Sequence, residues 1–186
     1  FYNQATLSYN GNTTTSNITT GELVEVLSAT KTAVQTEYQQ DDTLTYVVNI
    51  LNSGNTTMTG VTISDNLGAY TLNTLTLVPM DYVVGTVRYY VGGVLQPTPT
   101  VTAGPPLTIS GLSVPAKGNV TVIYQAKTND YAPLAQASSI TNTATINANN
   151  IANPITASAT VNAYSEPVLR ISKSLTPTTV SENGQL

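Results

Sequence analysis

The sequence contains no cysteine, histidine or tryptophan, and it has a single phenylalanine. Without cysteine the chain can form no disulfide bond and offers no thiolate nucleophile. Without histidine it lacks an imidazole base and the usual zinc or copper ligands. We therefore expect no cofactor and no metal, since the carboxylates are also too dispersed for a calcium site. A protein that is exposed to proteases would need some other means than disulfides to resist unfolding.

Charged residues are also scarce, at 9% of the 186 residues, and the net charge is −4. The six basic residues are scattered singly, which argues against a nucleic-acid partner. No apolar run approaches the roughly 20 residues of a membrane span. No signal-peptide pattern opens the sequence, so a signal for export would have been removed or would lie outside it. Sequons occur at Asn12, Asn17, Asn55 and Asn119, but chance produces sequons in a chain this rich in Asn and Thr.

What the sequence does contain is alternation of apolar and polar residues, which is typical of half-buried β-strands. Gly92-Gly93 is a two-residue hairpin signal, and the proline-rich segment 96–106 predicts an irregular or edge segment. No stretch sustains a helical period. We predict an all-β protein, an antiparallel β-sandwich of about nine or ten short strands, whose tyrosines are amphipathic strand residues with hydroxyls in water. The clearest runs are residues 43–51, 59–67, 85–91, 119–128, 139–147 and 155–163.

The two ends of the chain repeat each other. The matching segments are "FYNQATLSYNG" (1–11) with "ITNTATINANN" (140–150), and "EVLSATKTAV" (25–34) with "PVLRISKSLTP" (167–177). The first match places Asn3 on Asn142 and the second places Lys31 on Lys173, so a module of about 140 residues recurs. We predict that residues 1–26 are terminal strands resembling the end of a preceding module and that 27–165 form a complete module. Residues 166–186 then supply the first strand of a following module or a strand-exchange tail.

Three polar residues have the parity of the apolar residues in their strands. Asn142 falls on the isoleucine face of "ITNTATI", Lys31 on the apolar face of "LSATKTA", and Asp65 on that of "VTISDNL". Taken singly, each has an ordinary explanation: a lysine that snorkels to water, an aspartate in a turn, an asparagine paired with backbone in a bulge. Together they are a costly set to bury unless they compensate one another.

Lys, Asp and Asn are also the residue types that a self-generated isopeptide bond requires. Burial favours the neutral amine, which is a nucleophile, and the protonated carboxyl, which can polarise the amide and shuttle protons to the leaving ammonia. The fold holds the reactants together, so no enzyme is needed. We predict an amide between Lys31 and Asn142, with Asp65 as the assisting acid. The other candidate acids, in turn-like or proline-flanked contexts, are Asp41, Asp42, Asp81 and Asp130.

At these residues the sequence resembles a known family. "DDTLTYVVNILNSGNTTMTGVTISDNLG" (41–68) and "ITNTATI" are similar to the tandem "conserved repeat domain" of bacterial surface proteins. Its ordered motifs are an early Lys, Gly-Asp-x-hydrophobic-x-Tyr, Asn-x-Gly, a Val-Thr-x-Asp strand, and Thr-Asn-x-Ala. Their counterparts here are Lys31, Asp42 to Tyr46, Asn52 to Gly54, Asp65 and Asn142. One departure is Asp41-Asp42, where Gly-Asp is usual.

The resemblance covers roughly residues 25–165 and extends to collagen-adhesin domains, whose Lys–Asn isopeptide bonds use an Asp as the assisting acid. It implies an immunoglobulin-like sandwich with extra terminal strands, in cell-wall, spore or filament proteins of Gram-positive bacteria and some archaea. Neither resemblance is needed for the parity argument, which rests on Lys31, Asp65 and Asn142 alone.

We therefore predict a structural, non-enzymatic module at the cell surface or in an extracellular appendage, with adjacent modules or copies of itself as partners. Exchange of the terminal strands between chains would bring Lys173 and Asn3 together for a second crosslink. The alternative is an adhesin that binds a host glycan or matrix protein through loops 68–82 or 92–106. A glycosidase is a poor fit, because it needs two carboxylates about 5–9.5 Å apart, and no two acids here are brought together.

Overall fold

The computed structural model describes residues 2–20, 26–149, 151–164 and 171–174. Within these residues every regular element is a β-strand and none is a helix, which confirms the predicted all-β class; accordingly no described helix could cross a membrane. The strands are β1 (Tyr2–Asn3), β2 (Thr6–Tyr9), β3 (Asn12–Thr15), β4 (Thr19–Thr20), β5 (Leu27–Ala33), β6 (Glu37–Tyr38), β7 (Thr43–Asn52), β8 (Met58–Asp65), β9 (Tyr70–Leu72), β10 (Leu75–Leu77), β11 (Met80–Tyr82), β12 (Arg88–Val91), β13 (Val94–Leu95), β14 (Thr100–Thr102), β15 (Leu107–Val114), β16 (Asn119–Thr128), β17 (Ser139–Asn147) and β18 (Ile155–Ala163).

Two six-stranded sheets form the sandwich. Sheet one has the order β13-β12-β16-β7-β5, with β11 also paired to β16, and sheet two has the order β14-β15-β8-β17-β18-β6. The described ladders are antiparallel except for the short pairing of β6 with β18, which is parallel. The architecture agrees with the predicted immunoglobulin-like antiparallel sandwich.

The core forms because the long strands alternate strictly. On β7 and β16 every second side chain is buried, and the intervening side chains, most of them polar, are exposed or half-buried. These two strands pair in unbroken register from Asn119 opposite Leu51 to Lys127 opposite Thr43. The central strands of sheet two present their apolar side chains to them across the sandwich.

One long strand is missing from the sequence-based prediction. β15 interrupts its alternation at Gly111, which has φ +83°, and its pairing with β8 shifts between Ile109 and Leu112. This bulge moves the buried residues out of period 2, so Leu107 and Ile109 precede the break and Leu112 follows it in opposite parity. By contrast the hairpin signal is confirmed: Gly92 and Gly93 join β12 to β13 with φ +54° and +83°. The proline-rich segment supplies the short edge strand β14, as expected.

The N-terminal residues have a different character from the sandwich. β1 pairs with β4 and β2 pairs with β3, and no ladder in the described parts of the chain joins either ribbon to the six-stranded sheets. Every side chain from 2 to 19 is exposed. The first sandwich strand begins at Leu27 and the last ends at Ala163. The predicted module boundaries remain predictions, and most of the predicted tail 166–186 lies outside the described residues.

Candidate crosslinking site

Three strands carry the polar residues singled out by parity, and they meet inside the sandwich. Lys31 lies on β5, the edge strand of sheet one, while Asp65 ends β8 and Asn142 lies on the neighbouring β17 of sheet two. The register pairs Ala144 with Asp65. Asn142 lies two residues before Ala144 on the antiparallel β17, which places it beside the turn that follows β8. The three residues are 5%, 0% and 0% exposed, respectively.

Lys31 and Asp65 form an ion pair across the two sheets. The distance from Lys31 Nζ to Asp65 Oδ2 is 2.5 Å, and both side chains are fully enclosed. Lys31 Nζ also lies 4.9 Å from the ring centroid of Tyr46 and 5.8 Å from that of Tyr124, within cation–π range. Burial lowers the pKa of Lys31 to about 8, although the charge and hydrogen bond of Asp65 oppose the shift. The amine is therefore easier to deprotonate than an ordinary lysine, which favours its use as a nucleophile.

The Asp65 carboxylate binds more than the lysine. Its Oδ2 accepts a second hydrogen bond from the Tyr124 hydroxyl at 2.5 Å, and its Oδ1 accepts the Leu67 N–H at 3.0 Å. These donors compensate the charge that burial would otherwise leave unpaired. Consistent with this, no buried side-chain nitrogen or oxygen among the described residues lacks a partner.

Asn142 is held at both ends of its amide. Its Oδ1 accepts the backbone N–H of Gly68 at 3.2 Å, and its Nδ2 donates to the Tyr124 hydroxyl at 3.4 Å. Our sequence-based mechanism has the aspartic acid polarise the amide oxygen directly. In the structure Gly68 N–H occupies that oxygen, and the Tyr124 hydroxyl bridges the amide and Asp65.

The turn that follows β8 shapes this site. Leu67 is buried although its φ is +52°, and Gly68 has φ +76°. A non-glycine residue in the left-handed region is unfavourable and persists only where the surroundings impose it. Here Asn66 Oδ1 accepts N–H groups from both Gly68 (3.0 Å) and Thr143 (2.9 Å), which fastens the turn to β17. A Cβ on Gly68 would lie 2.5 Å from Ile140 Cγ2, so this position suits glycine alone.

Two tyrosines at the site were not anticipated. Tyr46 and Tyr124 are fully buried and stack with ring centroids 5.7 Å apart, which corrects the expectation that the tyrosine hydroxyls face water. Burial, reinforced by the charge of Asp65, raises the pKa of both hydroxyls well above the ordinary value. Strand parity could have found both residues, because Tyr46 shares a face with the buried Leu44 and Val48, and Tyr124 shares one with the buried Val122.

The alternative acids lie elsewhere. All four are exposed, and one of them, Asp41, pairs with Lys127 at 2.8 Å at the surface, where the two side chains are 70% and 49% exposed. The acid beside Lys31 is thus Asp65.

The second predicted pair, Asn3 and Lys173, is exposed at both members. Asn3 lies on the short strand β1, opposite Thr19 of β4. By strand parity Asn3 shares a face with Phe1 and Leu7, and Lys173 shares one with Leu169, Ile171 and Leu175. Leu7 and Ile171 are exposed, and the other three lie outside the described residues.

No family model matches the chain, and no curated protein does either. Solved structures of pilus proteins do match. The pilus backbone protein RrgB of Streptococcus pneumoniae is 16% identical with a TM-score of 0.53, over 67% of this chain and 31% of that one. The major pilin SpaD of Corynebacterium diphtheriae is 14% identical with a TM-score of 0.52, over 72% of this chain and 33% of that one. A variant of BcpA, the major pilin subunit of Bacillus cereus, is 12% identical with a TM-score of 0.52, over 88% and 47%.

The chain thus spans between about a third and a half of the length of these pilins. At such low identity the likeness concerns the fold alone. This chain has the sandwich fold of domains found in Gram-positive major pilins.

Proposed function

We propose that the chain is a structural domain of a bacterial surface protein or appendage, clamped by an amide between Lys31 Nζ and Asn142 Cγ. One observation carries the proposal. Asp65 Oδ2 lies 2.5 Å from the Lys31 amine and 2.5 Å from the Tyr124 hydroxyl that contacts the Asn142 amide. An amine, an acid and a carboxamide are thereby gathered at one enclosed point, where holding them together replaces an enzyme.

The reaction is balanced without any co-reactant. The Lys31 ammonium, the Asp65 carboxylate and the Asn142 carboxamide become a secondary amide, a carboxylic acid and one ammonia. The bond from Nζ to Cγ forms and the bond from Cγ to Nδ2 breaks. The reaction occurs once per molecule, so the domain is no enzyme in the ordinary sense.

The link would change how the sandwich bears load. Lys31 lies on the first sandwich strand and Asn142 on the penultimate one. Tension entering at β5 would pass through the amide to β17 and bypass residues 32–141, so most of the core would carry no force. The bond also closes a loop of more than a hundred residues, which in the chain-entropy treatment of crosslinks stabilises by on the order of 4–5 kcal/mol.

A surface or filament location fits this clamp. The fold is that of domains in pilus backbone and major pilin proteins. A chain without cysteine cannot use disulfides, and an amide is not reducible. We therefore propose membership in the "conserved repeat domain" family, an extracellular location, and adjacent modules or copies of the chain as partners.

Assembly by strand exchange, with a crosslink between Lys173 and Asn3, is a weaker proposal. Both side chains are exposed in the single chain, unlike Lys31 and Asn142. Contact between neighbouring chains would have to bury them before the same chemistry could proceed. Covalent oligomers that resist denaturant would support this form of assembly.

The adhesin alternative has one structural feature in its favour. A groove of about 330 Å³ lies beside the start of the 68–82 loop, lined among others by Tyr70, Pro133 and Ser139. Binding to a glycan or matrix-protein array that is lost when this loop is exchanged would support an adhesin. Absence of binding would leave the structural role ahead.

The mass of the intact, denatured chain tests the clamp. We expect the parent to be lighter than its sequence by one ammonia and the Lys31→Ala variant to have its full calculated mass. Lys127→Ala is the matched control, because it removes an exposed lysine that also pairs with an aspartate, and it should retain the deficit. A proteolytic fragment containing both Lys31 and Asn142 would locate the bond. A parent of full mass would overturn the proposal.

A further inference from the structure

We propose that the Tyr124 hydroxyl is a catalytic proton relay, which carries the proton from Asp65 to the amide nitrogen that leaves Asn142 as ammonia. The proposal rests on the crosslinking function above and adds a residue that the sequence-based set of Lys31, Asp65 and Asn142 does not contain.

Geometry selects Tyr124 for this role. Its hydroxyl lies 2.5 Å from Asp65 Oδ2 and 3.4 Å from Asn142 Nδ2, whereas no hydrogen bond joins Asp65 to Asn142 directly. The hydrogen-bonded route from the acid to the amide nitrogen therefore runs through the tyrosine oxygen. The longer contact is expected to shorten when Nδ2 becomes pyramidal and directs a lone pair at the hydroxyl.

The backbone at Gly68 fixes which end of the amide meets the relay. Because Gly68 N–H donates to Asn142 Oδ1 at 3.2 Å, the nitrogen and not the oxygen faces Tyr124. The same N–H stands where negative charge develops on Oδ1 as the amine attacks, as a donor of an oxyanion hole does. The carbonyl is thus activated from one side and the leaving group protonated from the other.

The proposed reaction consists of proton transfers, the formation of one bond and the breaking of another. Lys31 Nζ gives one proton to Asp65 Oδ2, and the neutral amine attacks Asn142 Cγ. The Tyr124 O–H donates to Asp65 at the outset and turns towards Nδ2 once Asp65 is protonated. Asp65 then passes that proton to the Tyr124 oxygen while Tyr124 passes its own to Nδ2, so the tyrosine is unchanged. The bond from Cγ to Nδ2 breaks and ammonia departs. The nitrogen Nζ still carries one proton more than an amide nitrogen. It gives this second proton to Asp65, which ends as the carboxylic acid.

Tyr46 provides the internal comparison. Tyr46 stacks on Tyr124, and the Asn142 amide slightly offsets the rise in the pKa of Tyr46 that burial causes. The Tyr46 hydroxyl nevertheless donates to Met80 Sδ at 3.4 Å and makes no hydrogen bond to Asp65. A relay from Asp65 therefore requires Tyr124 and not Tyr46. Because burial and Asp65 raise the pKa of Tyr124, the two proton transfers should be concerted, without a free tyrosinate.

The test measures the rate of ammonia loss in the full-length chain. Parent, Tyr124→Phe and Tyr89→Phe chains are synthesised chemically and dissolved in denaturant, where the reactants are not held together. They are then diluted into native buffer and sampled by intact mass. We expect Tyr124→Phe to lose ammonia at least about 100-fold more slowly than the parent, the usual contribution of a positioned proton donor. Tyr89→Phe is the matched control, because it removes a buried tyrosine hydroxyl that bonds Ser113 and none of the reacting groups, and it should react within a few-fold of the parent.

The outcomes separate the two proposals. A parent that never loses ammonia refutes the crosslink itself. A parent and a Tyr124→Phe chain that react at the same rate refute the relay alone. If Tyr124→Phe fails to regain its β-sheet circular dichroism, the parent is measured in mixtures of light and heavy water. A curved dependence of the rate on deuterium fraction is expected for two protons moving in one step, and a straight line would overturn the relay.

Discussion

Two asparagines lie in the core of the sandwich, and both are 0% exposed, but their surroundings differ completely. Asn52, at the end of β7, uses every part of its amide on backbone groups of the nearby loops. Its Nδ2 donates to the carbonyls of Thr56 (2.8 Å), Val114 (3.2 Å) and Pro115 (3.0 Å), and its Oδ1 accepts the N–H of Gly54 (2.9 Å).

Asn142, in the middle of β17, has one backbone donor and one long contact to a hydroxyl. Around it stand an amine, a carboxylate and two tyrosines in place of loop carbonyls. Burial alone therefore does not mark a reactive amide. We propose that the two differ in whether the neighbours saturate the amide, as at Asn52, or supply a nucleophile and a proton path, as at Asn142.

Replacing Asn142 should have the largest effect on stability. Asn142→Ala cannot form the amide, so the free energy of unfolding should fall by on the order of 4–5 kcal/mol, the loop-closure contribution. Denaturant titration measures the loss, and intact mass should show that the ammonia deficit has vanished. Lys31→Ala should lose a similar amount, and the double variant little more, because both changes remove the same bond. A fully additive double variant would mean that the two residues do not share one.

Replacing Asn52 should destabilise less and leave the chemistry intact. Asn52→Ala removes the amide that bonds the carbonyls of Thr56 and Val114 and the N–H of Gly54, which should cost roughly 2–3 kcal/mol. The ammonia deficit should persist, because Lys31 and Asn142 are untouched. If the deficit were lost in Asn52→Ala but kept in Asn142→Ala, the assignment of the reactive asparagine would be reversed.

The sequence could distinguish these asparagines only in part. Asn142 stands inside a long alternating run, so parity reveals its burial, as it does for Lys31 and Asp65. Asn52 belongs to the turn signal "NSGN", and its burial depends on loops brought from residues 56 and 114–115. Such contacts are set by tertiary packing and leave no periodic trace in the sequence.

Other features were hidden for related reasons. The relay position of Tyr124 depends on how sheet one faces sheet two, and the Gly68 donor depends on a left-handed Leu67, which no propensity favours. The match of Asn3 to Asn142 also shows that a sequence pattern does not by itself predict burial. Asn3 lies in the two-residue strand β1, whose side chains are exposed, because the ribbon β1–β4 has no second sheet packed on it among the described residues.

The smallest predicted effect is a pH dependence that should separate the two asparagine variants. In Asn142→Ala the Lys31 amine stays free, with its pKa lowered by burial to about 8 from the ordinary 10.5. Between these values the unfolded chain binds more protons than the folded one, so stability rises with pH, by roughly 2 kcal/mol from about pH 8 to 10. In Asn52→Ala we expect the same nitrogen to be part of the amide, which does not titrate in this pH range.

Denaturant titrations of both variants at several pH values measure this difference. The other titratable groups that face the amine are Asp65, Tyr46 and Tyr124. The tyrosines, whose pKa values are raised, reduce stability only above about pH 10, so titrations between about pH 8 and 10 report on the amine. Parallel pH profiles for the two variants would mean that Lys31 is in the same chemical state in both. The amine would then be free in Asn52→Ala, and the two asparagines would differ in their hydrogen bonds and not in their chemistry.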